Sequence, residues 1–548
     1  MRSRLIVVVA LGSLAQPIRA QQISDLIANN NAPAAAPAEL PRATVATDYP
    51  SGGRPVRVPA NGNLQAAIDA ARPGDVLLLA PGAIYVGNFS LRNKGPSPAN
   101  APAGGWIVIR TDVPDAALGR EGTRMTPTRS ASLRLARVQS PDYSPAFGSQ
   151  PGAHHYRLTA LDISAAPSAK EMNMIIRFGE SGETQRSVPD FPHDLIVDRS
   201  FVHGTPRLQV KRCLTLNSNA SAVVDSWFAD CHSNNGDSQA VLSYNSTGPL
   251  KIQNNHLEAG HEIVAFGGSD PHIPGLSPSD VEVRGNHITR PVEWKKVWQV
   301  KNLIETKNVR RLLIEGNVIE NNWADGQDGF AIVLKSENQD GSAPWSTSSD
   351  ITFRNNRLRN TGSAFNLSGT GSSPARVIPA TRFTITNNII EGMNVGPFQG
   401  EGIAYQLLNG LSDAIITHNT MLNQRSVQST VVFDGFPIKR LVMHSNVFFN
   451  GVYGVHGGGT GTGSSTLQRY APNAVFRRNA IVGADCREYP PGTICPENNV
   501  LGLGFTNPIS GNYRVKNGAL KGNAFDKGDI GADVDAVENA TRGAVVLP

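Results

Sequence analysis

One short phrase of sequence recurs along the chain, and it constrains the fold more than any other feature. Each copy places an asparagine three residues after one apolar side chain and two residues before another, as in IEGNVI at 314–319. Successive copies lie 27 to 39 residues apart. Two earlier segments, IVDRSF at 196–201 and VVDSWF at 223–228, keep the apolar frame but lack the asparagine. The aligned asparagines are Asn255, Asn286, Asn317, Asn356, Asn388, Asn419, Asn446 and Asn479.

A repeat of this length, with short β-type phrases and glycine-rich turns, is typical of a solenoid in which each repeat forms one coil. The composition agrees, since 54 Gly, 37 Pro and only 17% charged residues favour a turn-rich β protein. We therefore predict an all-β parallel β-helix in which strands stack at about 4.8 Å per coil.

We predict that the repeated asparagines form a ladder at one corner of the coil. Asparagine tolerates the left-handed backbone of a tight corner, and its amide can hydrogen-bond to the equivalent amide one coil away. The flanking apolar residues, such as Ile314 and Ile319, would fill the coil interior. Binding of a metal or a sugar by these amides is the alternative interpretation.

The N-terminal sequence predicts three consecutive regions. Residues 1–20 carry arginines, then an apolar run and a small residue, Ala20, which is the pattern of a secretory signal peptide. Residues 21–55 are rich in Ala, Pro and Asn and predict a flexible lead-in. Residues 56–548 would form the β-helix domain, with a closing segment from about residue 500.

A short helix is expected at the start of this domain. Asn63 is a suitable N-cap, and Leu64 and Ile68 lie on one helical face. Pro73 and Gly74 would end the helix. Such a helix caps the open end of a solenoid, where core and strand edges are otherwise exposed.

Four cysteines in a chain with a predicted signal peptide favour disulfide bonds. Cys486 and Cys495 flank a Pro- and Gly-rich loop, and we predict that they pair. Cys213 and Cys231 either pair or remain small buried side chains.

The remaining bulk features concern location and partners. No apolar run after the signal peptide is long enough to span a bilayer, and a formal net charge of +5 does not indicate a nucleic-acid partner. We predict a secreted or periplasmic protein without a transmembrane segment after signal removal. A solenoid capped at both ends has no need to associate, so we expect a monomer.

The segment LQAAIDAARPGDVLLLAPGAIYVGNFSL at 64–91, together with the asparagine-bearing coils, resembles the pectate-lyase-like superfamily of right-handed parallel β-helices. The likeness covers most of residues 56–535. The C-terminal segment from Gly504 resembles the closing segment of secreted bacterial β-helix proteins of unknown function. Most members of the superfamily cleave acidic polysaccharides, so the resemblance implies an acidic polysaccharide as partner.

A lyase of this kind removes the proton next to a uronate carboxylate, which requires a base and a positive group or calcium. Such residues would lie on the strands at 262–270, 300–308 and 330–338. Aligning Phe266, Ile304 and Leu334 as inward residues predicts two outward columns. The first column contains Gly267, Glu305 and Lys335, and the second contains Ser269, Lys307 and Glu337.

From these columns we predict Lys307 and Lys335 as candidate bases. Glu262, Asp270 and Glu305 are the candidate calcium or orienting ligands. The alternative is that the Glu305–Lys335 and Lys307–Glu337 pairs are cross-strand ion pairs on a solvated face.

The arrangement partly resembles polysaccharide lyase family six, which has an acidic pair before Lys-Ser and an arginine one coil later. Here ETKN at 305–308 supplies Glu305 and Lys307, but Asn308 replaces the serine and Lys335 replaces the arginine. The motifs of the main pectate lyase family and of the polygalacturonases are absent. A hydrolase with two carboxylates is therefore less favoured than a lyase.

Four of the six tryptophans lie near these columns: Trp294, Trp298, Trp323 and Trp345. Their rings could stack on sugar rings, or they could pin loops to the coil. Together these features predict β-elimination on, or binding of, an acidic extracellular polysaccharide. The competing class is a non-catalytic carbohydrate-binding or surface scaffold protein.

Overall fold

The computed structural model describes residues 35–181, 184–422, 427–497 and 499–548. The predicted signal peptide lies outside these residues. Residues 35–548 form one unit built from three long parallel sheets, which we name A, B and C. The predicted right-handed parallel β-helix is confirmed.

The strands of each sheet follow one another coil by coil. Sheet A has 14 strands: Arg54–Val58, Asp75–Leu79, Ile107–Thr111, His154–Thr159, His193–Asp198, Ser221–Val224, Leu250–Gln253, Ser279–Arg284, Val309–Glu315, Ser348–Arg354, Thr381–Thr386, Ser412–Thr417, Val442–His444 and Val475–Arg477. Sheet B has 13: Ile84–Val86, Ala136–Ser140, Leu161–Ala165, Phe201–His203, Trp227–Cys231, His256–Ala259, His287–Thr289, Val318–Glu320, Arg357–Arg359, Ile389–Glu391, Thr420–Leu422, Val447–Phe449 and Ala480–Val482. Sheet C has 12: Phe89–Leu91, Phe147–Ser149, Glu171–Phe178, Gln209–Leu216, Gln239–Ser243, Glu262–Phe266, Ile304–Thr306, Phe330–Lys335, Ser363–Ser368, Ile403–Leu408, Ser429–Asp434 and Val455–Gly457.

The described helices are short and lie outside the coils' regular path. The α-helices are Leu64–Ala70, Asp115–Leu118, Pro127–Leu133, Ser464–Tyr470 and Val534–Ala540. The 3-10 helices are Pro102–Gly105, Val188–Asp190, Val292–Trp294, Cys486–Glu488, Val500–Leu503, Pro508–Ser510 and Gly518–Leu520. An antiparallel strand pair, Phe505–Asn507 with Asn512–Val515, completes the elements.

Each coil passes from sheet C to sheet A, then to sheet B and back to sheet C. In one coil these strands are Glu262–Phe266, Ser279–Arg284 and His287–Thr289. Only two residues, Gly285 and Asn286, connect sheet A to sheet B, whereas longer loops enter and leave sheet C. The short corner fixes the register of the coils, and the long loops form walls beside the outer face of sheet C.

The predicted asparagine ladder occupies this short corner. The side-chain oxygen of Asn317 accepts hydrogen bonds from the backbone N–H of Asn286 at 2.9 Å and from its Nδ2 at 3.0 Å. The Nδ2 of Asn317 donates to the carbonyl oxygen of Val283 at 2.9 Å. The same pattern links every predicted position from Asn255 to Asn479.

Serine continues the ladder where the asparagine is missing. The backbone N–H of Ser226 donates to Asn255 Oδ1 at 2.9 Å, and the N–H of Ser200 donates to Ser226 Oγ at 3.1 Å. A hydroxyl can accept the bond that stabilises the corner and donate one in turn, as Ser226 Oγ does to the carbonyl oxygen of Val224 at 2.8 Å, but it lacks the second donor hydrogen of the amide.

The prediction that the ladder asparagines adopt the left-handed conformation was wrong. The residue before each of them does so: Asn254, Gly285, Gly316, Asn355, Asn387, His418, Ser445 and Arg478 all have φ between 52° and 68°. The reason is that two adjacent residues have separate roles at the corner. The preceding residue turns the chain, while the ladder amide stays fully buried and bonded to the adjacent coils.

The coil interior is filled by the apolar residues of the repeat. Ile314, Ile319, Phe353 and Leu358 are all fully buried, as predicted. Aromatic rings stack between coils on sheet C, where the centroids of Phe365 and Tyr405 lie 5.0 Å apart.

The capping helix is present as Leu64–Ala70. Asn63 Oδ1 accepts from the backbone N–H of Ala66 at 2.9 Å, and Leu64 and Ile68 are buried in the core. The helix therefore covers the first coil in the way the sequence predicts.

The sequence predicts a flexible lead-in over residues 21–55, but its described part is bound to sheet A. Residues 35–53, which we call the strap, run along the outer face of sheet A. Backbone N–H groups of Ala36 and Arg42 donate to Asp413 at 3.1 Å and to Asp280 at 2.9 Å. Hydrogen bonds to side chains of the sheet, which composition does not reveal, thus hold an Ala- and Pro-rich segment in place.

The C-terminal segment returns along the corner between sheets A and B. The backbone N–H of Ala532 donates to Thr420 Oγ1 at 2.8 Å, and Arg124 Nη1 donates to the carbonyl oxygen of Ala544 at 2.6 Å. Val534 and Val537 of the last helix are buried. The segment therefore covers the side of several coils as well as their end.

Both cysteine pairs are disulfide-bonded. Cys486 pairs with Cys495, as predicted, and Cys213 pairs with Cys231. The second bridge joins a strand of sheet C to a strand of sheet B and resolves the alternative that the sequence leaves open.

Replacing Asn317 by alanine should destabilise the protein strongly, because Asn286 loses its acceptor and Asn356 loses a donor in a fully buried column. We expect a loss of roughly 3 kcal/mol or more in the free energy of unfolding. Chemical denaturation measures it, with the exposed Asn61→Ala as control. Equal stability of the two variants would contradict a stabilising ladder.

Candidate functional site

The outer face of sheet C carries the charged residues that the sequence predicts, but in a different register. Val264, Ile304 and Ile332 are paired across three coils, and Phe266 pairs with Thr306. The predicted alignment of Phe266 with Ile304 was therefore wrong by two residues. A shift of two keeps every inward residue inward, so alternation of apolar and polar residues does not detect it.

The corrected register brings the two candidate bases together. Thr306 pairs with Leu334, so Lys307 and Lys335 follow at equivalent positions on adjacent coils. Glu305 instead shares a column with Ala265 and Val333. The predicted column of Gly267, Glu305 and Lys335 does not exist.

Two glutamates bridge the two lysines. Lys335 Nζ lies 2.9 Å from Glu337 and 3.4 Å from Glu305, and Lys307 Nζ lies 3.8 Å from Glu305 and 4.0 Å from Glu337. Lys307 Nζ also donates to Gln339 Oε1 at 2.7 Å. The lysine side chains are 18–19% exposed, whereas both carboxylates are buried. The ammonium groups are thus the accessible part of this four-residue mesh.

A second group of charges adjoins the mesh. Lys301 Nζ donates to Asp237 Oδ1 at 2.5 Å and lies 3.8 Å from Glu262 Oε1. Glu262 Oε2 accepts from Gln239 Nε2 at 2.7 Å. Glu305 connects the two groups electrostatically, since its charge acts on both Glu262 and Lys301, and its Oε2 accepts from Asn302 Nδ2 at 3.0 Å. An ammonium therefore lies in the region where the sequence predicts a calcium ion.

The proximity of these charged groups shifts the pKa values of Glu262, Lys301 and Lys335. Burial, together with the charges of Glu305 and Asp237, raises the pKa of Glu262 to about 7. Burial lowers the pKa of Lys335, but the charges of Glu305 and Glu337 outweigh it and leave the pKa above its usual range. Burial likewise opposes the charge of Lys301, yet Glu262 and Asp237 raise its pKa. Lys301 and Lys335 are accordingly stable cations.

Arg290 lies in the protein interior and bonds the backbone next to the site. It is fully buried, and its Nη2 donates to the carbonyl oxygens of His261 at 3.1 Å and Asn302 at 2.8 Å. His261 directly precedes Glu262 in the chain, and Asn302 lies three residues before Glu305. Arg290 thereby fixes the relative position of the two coils that carry the carboxylates.

Asp270 is not part of this charged group. Its carboxylate accepts from the backbone N–H groups of Gln339, Asp340 and Ser342 at 2.9–3.0 Å. It thus joins the loops that follow two strands of sheet C and builds one wall of the face. The predicted role of Asp270 as a ligand beside Glu262 and Glu305 does not match this position.

Three of the four tryptophans form a buried cluster. Trp294, Trp298 and Trp323 are 1–7% exposed, and His232 stacks on Trp298 with centroids 3.8 Å apart. Trp345 is half-buried and donates its indole N–H to the carbonyl oxygen of Leu276 at 3.1 Å. These contacts agree with the interpretation that the tryptophans pin loops to the coil, and they leave little ring surface for a sugar.

Sequence reasoning missed Asp237, Gln239 and Lys301. Asp237 lies in a polar loop, NNGDSQ at 234–239, and the other two adjoin strands without a motif of their own. Their only sequence signal is position, since Gln239 begins a strand of sheet C and the other two lie within three residues before one. The correct register is needed before that signal can be recognised.

Comparisons with known proteins agree with the fold. A family model described as the right handed beta helix region matches residues 218–404. A search of curated proteins finds no significant match. No described helix is long and apolar enough to cross a membrane.

Several solved structures are similar to this chain at low sequence identity. The catalytic unit of a thermostable alpha-1,3-glucanase from Streptomyces thermodiastaticus is 14% identical, with a TM-score of 0.43, and the match covers 84% of this chain and 70% of that one. A tailspike protein of an E. coli bacteriophage, in complex with pentasaccharide, is 11% identical with a TM-score of 0.46, over 78% of this chain and 64% of that one. A mannuronic acid specific polysaccharide family 6 lyase from human gut microbiota is 12% identical with a TM-score of 0.45, over 79% and 87%.

The raised pKa of Glu262 predicts a pH-dependent stability. Folded protein keeps this proton up to about pH 7, whereas an unfolded chain loses it near pH 4.5, so the associated stability is lost as pH rises through this window. Glu262→Gln removes the effect. We expect the variant to gain on the order of 3 kcal/mol relative to the native protein between pH 4 and pH 8.

Thermal or urea unfolding at both pH values measures this difference. Glu497→Gln, at an exposed position, is the matched control and should show no relative change. A Glu262→Gln variant whose relative stability is the same at both pH values would show that Glu262 is ionised throughout.

Proposed function

We propose that this protein binds an acidic polysaccharide on the outer face of sheet C and cleaves it by β-elimination. The observation that carries the proposal is the adjacency of two partly exposed ammonium groups, Lys307 and Lys335, over buried carboxylates. A uronate carboxylate can replace a glutamate as the partner of these ammonium groups, which favours a polyanionic chain as ligand.

The two lysines are suited to different roles. Lys335 contacts both glutamates, and its raised pKa keeps it charged, so we assign it to neutralise the uronate carboxylate. Lys307 is held by Gln339 from the loop wall, at longer distances from the carboxylates. We assign Lys307 as the base that takes the proton adjacent to the uronate group.

The second group of charges supports a cation of the protein itself rather than calcium. Calcium is bound by six to eight oxygen atoms, and here Lys301 Nζ lies between Asp237 and Glu262. The residues present do not fit a calcium ion while Lys301 occupies this position. We therefore propose that Lys301 supplies positive charge beside the substrate in place of the calcium ion that the sequence suggests.

We also propose that the protein acts outside the cytoplasm. All four cysteines are paired in disulfide bonds, which form and persist in oxidising compartments. The predicted signal peptide at residues 1–20 supports the same location. Fractionation of cells that produce the full chain tests it, since recovery in the cytoplasm with reduced cysteines would contradict export.

Lys307→Ala should abolish lyase activity. We expect a loss of at least 100-fold in turnover, because the variant lacks the base. Ultraviolet absorbance of the unsaturated uronate product, with polygalacturonate, alginate and chondroitin sulfate as candidate substrates, measures it. The exposed Lys516→Ala is the matched control and should retain full activity.

Three outcomes separate the candidate functions. Product formation that Lys307→Ala eliminates supports the lyase. Product formation that survives in Lys307→Ala assigns the base elsewhere. No product, with retained affinity for one of these polymers, moves the protein to the class of non-catalytic carbohydrate-binding scaffolds.

Chelation tests the assignment of Lys301. We expect the native protein to keep its activity in EDTA, because the cation is covalently part of the chain. Lys301→Ala should lose most activity and leave Asp237 and Glu262 without their ammonium partner. Partial rescue of this variant by millimolar calcium is the expected signature, whereas loss of native activity in EDTA would contradict the assignment.

A further inference from the structure

A cluster of metal-binding side chains lies on sheet A, away from the charged face of sheet C. His154 and His155 begin one strand, and His193 and Asp194 begin the next strand. His154 and His193 are paired in register. Ligand atoms of His155, His193 and Asp194 all lie within 4.8 Å of one another. The four residues are only partly buried, so an ion can reach them from solvent.

The backbone explains why neighbouring side chains converge. Successive residues of a strand normally point to opposite faces. Here His155 and Asp194 have φ of 57° and 52°, in the left-handed region. This conformation turns each of them toward the side of the preceding residue, so that His154 Nδ1 and His155 Nδ1 lie 2.9 Å apart.

In later coils, an aspartate near the start of a sheet A strand has an arginine as its partner, whereas Asp194 does not. Asp280, Asp350 and Asp413 lie near the start of sheet A strands with the same left-handed backbone. Each is held by two nitrogen atoms of an arginine from the next coil: Arg311, Arg382 and Arg440. Asp194 instead faces imidazoles: His193 Nδ1 at 2.6 Å and His155 Nδ1 at 3.9 Å.

A second contact leaves the inner nitrogen atom of His154 available. His154 Nε2 lies 3.0 Å from the carbonyl oxygen of Gly95, which requires a proton on Nε2 and leaves Nδ1 as a lone pair. That lone pair points toward His155. An imidazole whose outer nitrogen donates to a carbonyl is the usual arrangement of a metal-binding histidine.

From this geometry we propose that His155, His193 and Asp194 bind a divalent transition-metal ion of the zinc type. His154, whose Nδ1 lies 2.9 Å from His155 Nδ1, is the nearest candidate for a fourth ligand. Tetrahedral ligands at about 2.0–2.1 Å from zinc lie roughly 3.3 Å from each other. The observed separations of 2.6, 2.9 and 3.9 Å bracket this value. Imidazole nitrogen selects zinc-type ions over calcium, which prefers oxygen. The ion would neutralise Asp194 in the way that an arginine neutralises the aspartates of later coils.

Metal content of the full chain, purified without a histidine tag, tests the proposal. The protein is stripped with chelator, incubated with one equivalent of Zn²⁺, desalted and analysed by mass spectrometry. We expect one zinc per chain and a higher melting temperature, no retained Ca²⁺, and with Co²⁺ the visible absorption of a four-coordinate ion. The readout is independent of any action on polysaccharide.

Matched variants locate the ion. His155→Asn keeps a residue that tolerates the left-handed backbone, and with His193→Gln it should weaken zinc binding at least tenfold. His418→Asn is the control, since His418 is also left-handed and also pairs with an aspartate, Asp526 at 3.4 Å. Near-ultraviolet circular dichroism confirms folding, and Asp194→Asn provides a second, milder variant.

Two results would overturn the proposal. One is retention of less than about a tenth of an equivalent of zinc by the native chain. The other is unchanged zinc affinity in folded His155→Asn/His193→Gln. Either would show that the histidines and Asp194 form only hydrogen bonds and ion pairs between coils.

Discussion

The fold depends on a buried hydrogen bond between the side chain of one coil and the backbone of the next. At the corner between sheets A and B, each ladder amide accepts from a backbone N–H of the preceding coil, and its NH2 group donates to a carbonyl of that coil and to the amide oxygen of the next one. A buried donor without a partner costs much more than a bond contributes, so the corner tolerates few alternatives. Because the corner is only two residues long, it fixes the register of both adjoining sheets, and the long loops can vary without disturbing the core.

That register is what brings the charged groups of sheet C together. Glu305, Lys307, Lys335 and Glu337 are dispersed over some thirty residues of sequence, yet the stacking of coils places them in one mesh. Arg290 links two coils below the face. Burial and the charges of Glu305 and Asp237 raise the pKa of Glu262, and the charges of Glu305 and Glu337 raise the pKa of Lys335 in spite of its burial. The surface is therefore a row of accessible cations over a partly neutralised acidic layer, and a polyanionic chain laid along the coils would meet these charges in sequence.

Much of the fold could be predicted from sequence because the repeat has a strict physical cause. The apolar residue, the buried amide and the turn recur together, so Asn255 to Asn479 and the capping helix after Asn63 were identifiable. The conformation at the corner was not, since Gly285 and Arg478 share a left-handed backbone without sharing a side-chain type. The register of Ile304 was also hidden, because loop lengths between strands of sheet C are irregular. For the same reason Lys301 and Asp237 were missed: their relation to Glu262 exists only between coils.

The strap along sheet A has a consequence for how the chain assembles. Ala36 donates to Asp413, 377 residues further on, and Glu39 donates to Asp350, 311 residues further on. Coils can form one after another from local contacts as the chain is synthesised, but these strap contacts need partners made much later. The strap is synthesised early, but it cannot form these hydrogen bonds until the coils that contain Asp350 and Asp413 have folded. Docking of its first residues is a late step in assembly, and it reports that the solenoid has been built as far as the coil of Asp413.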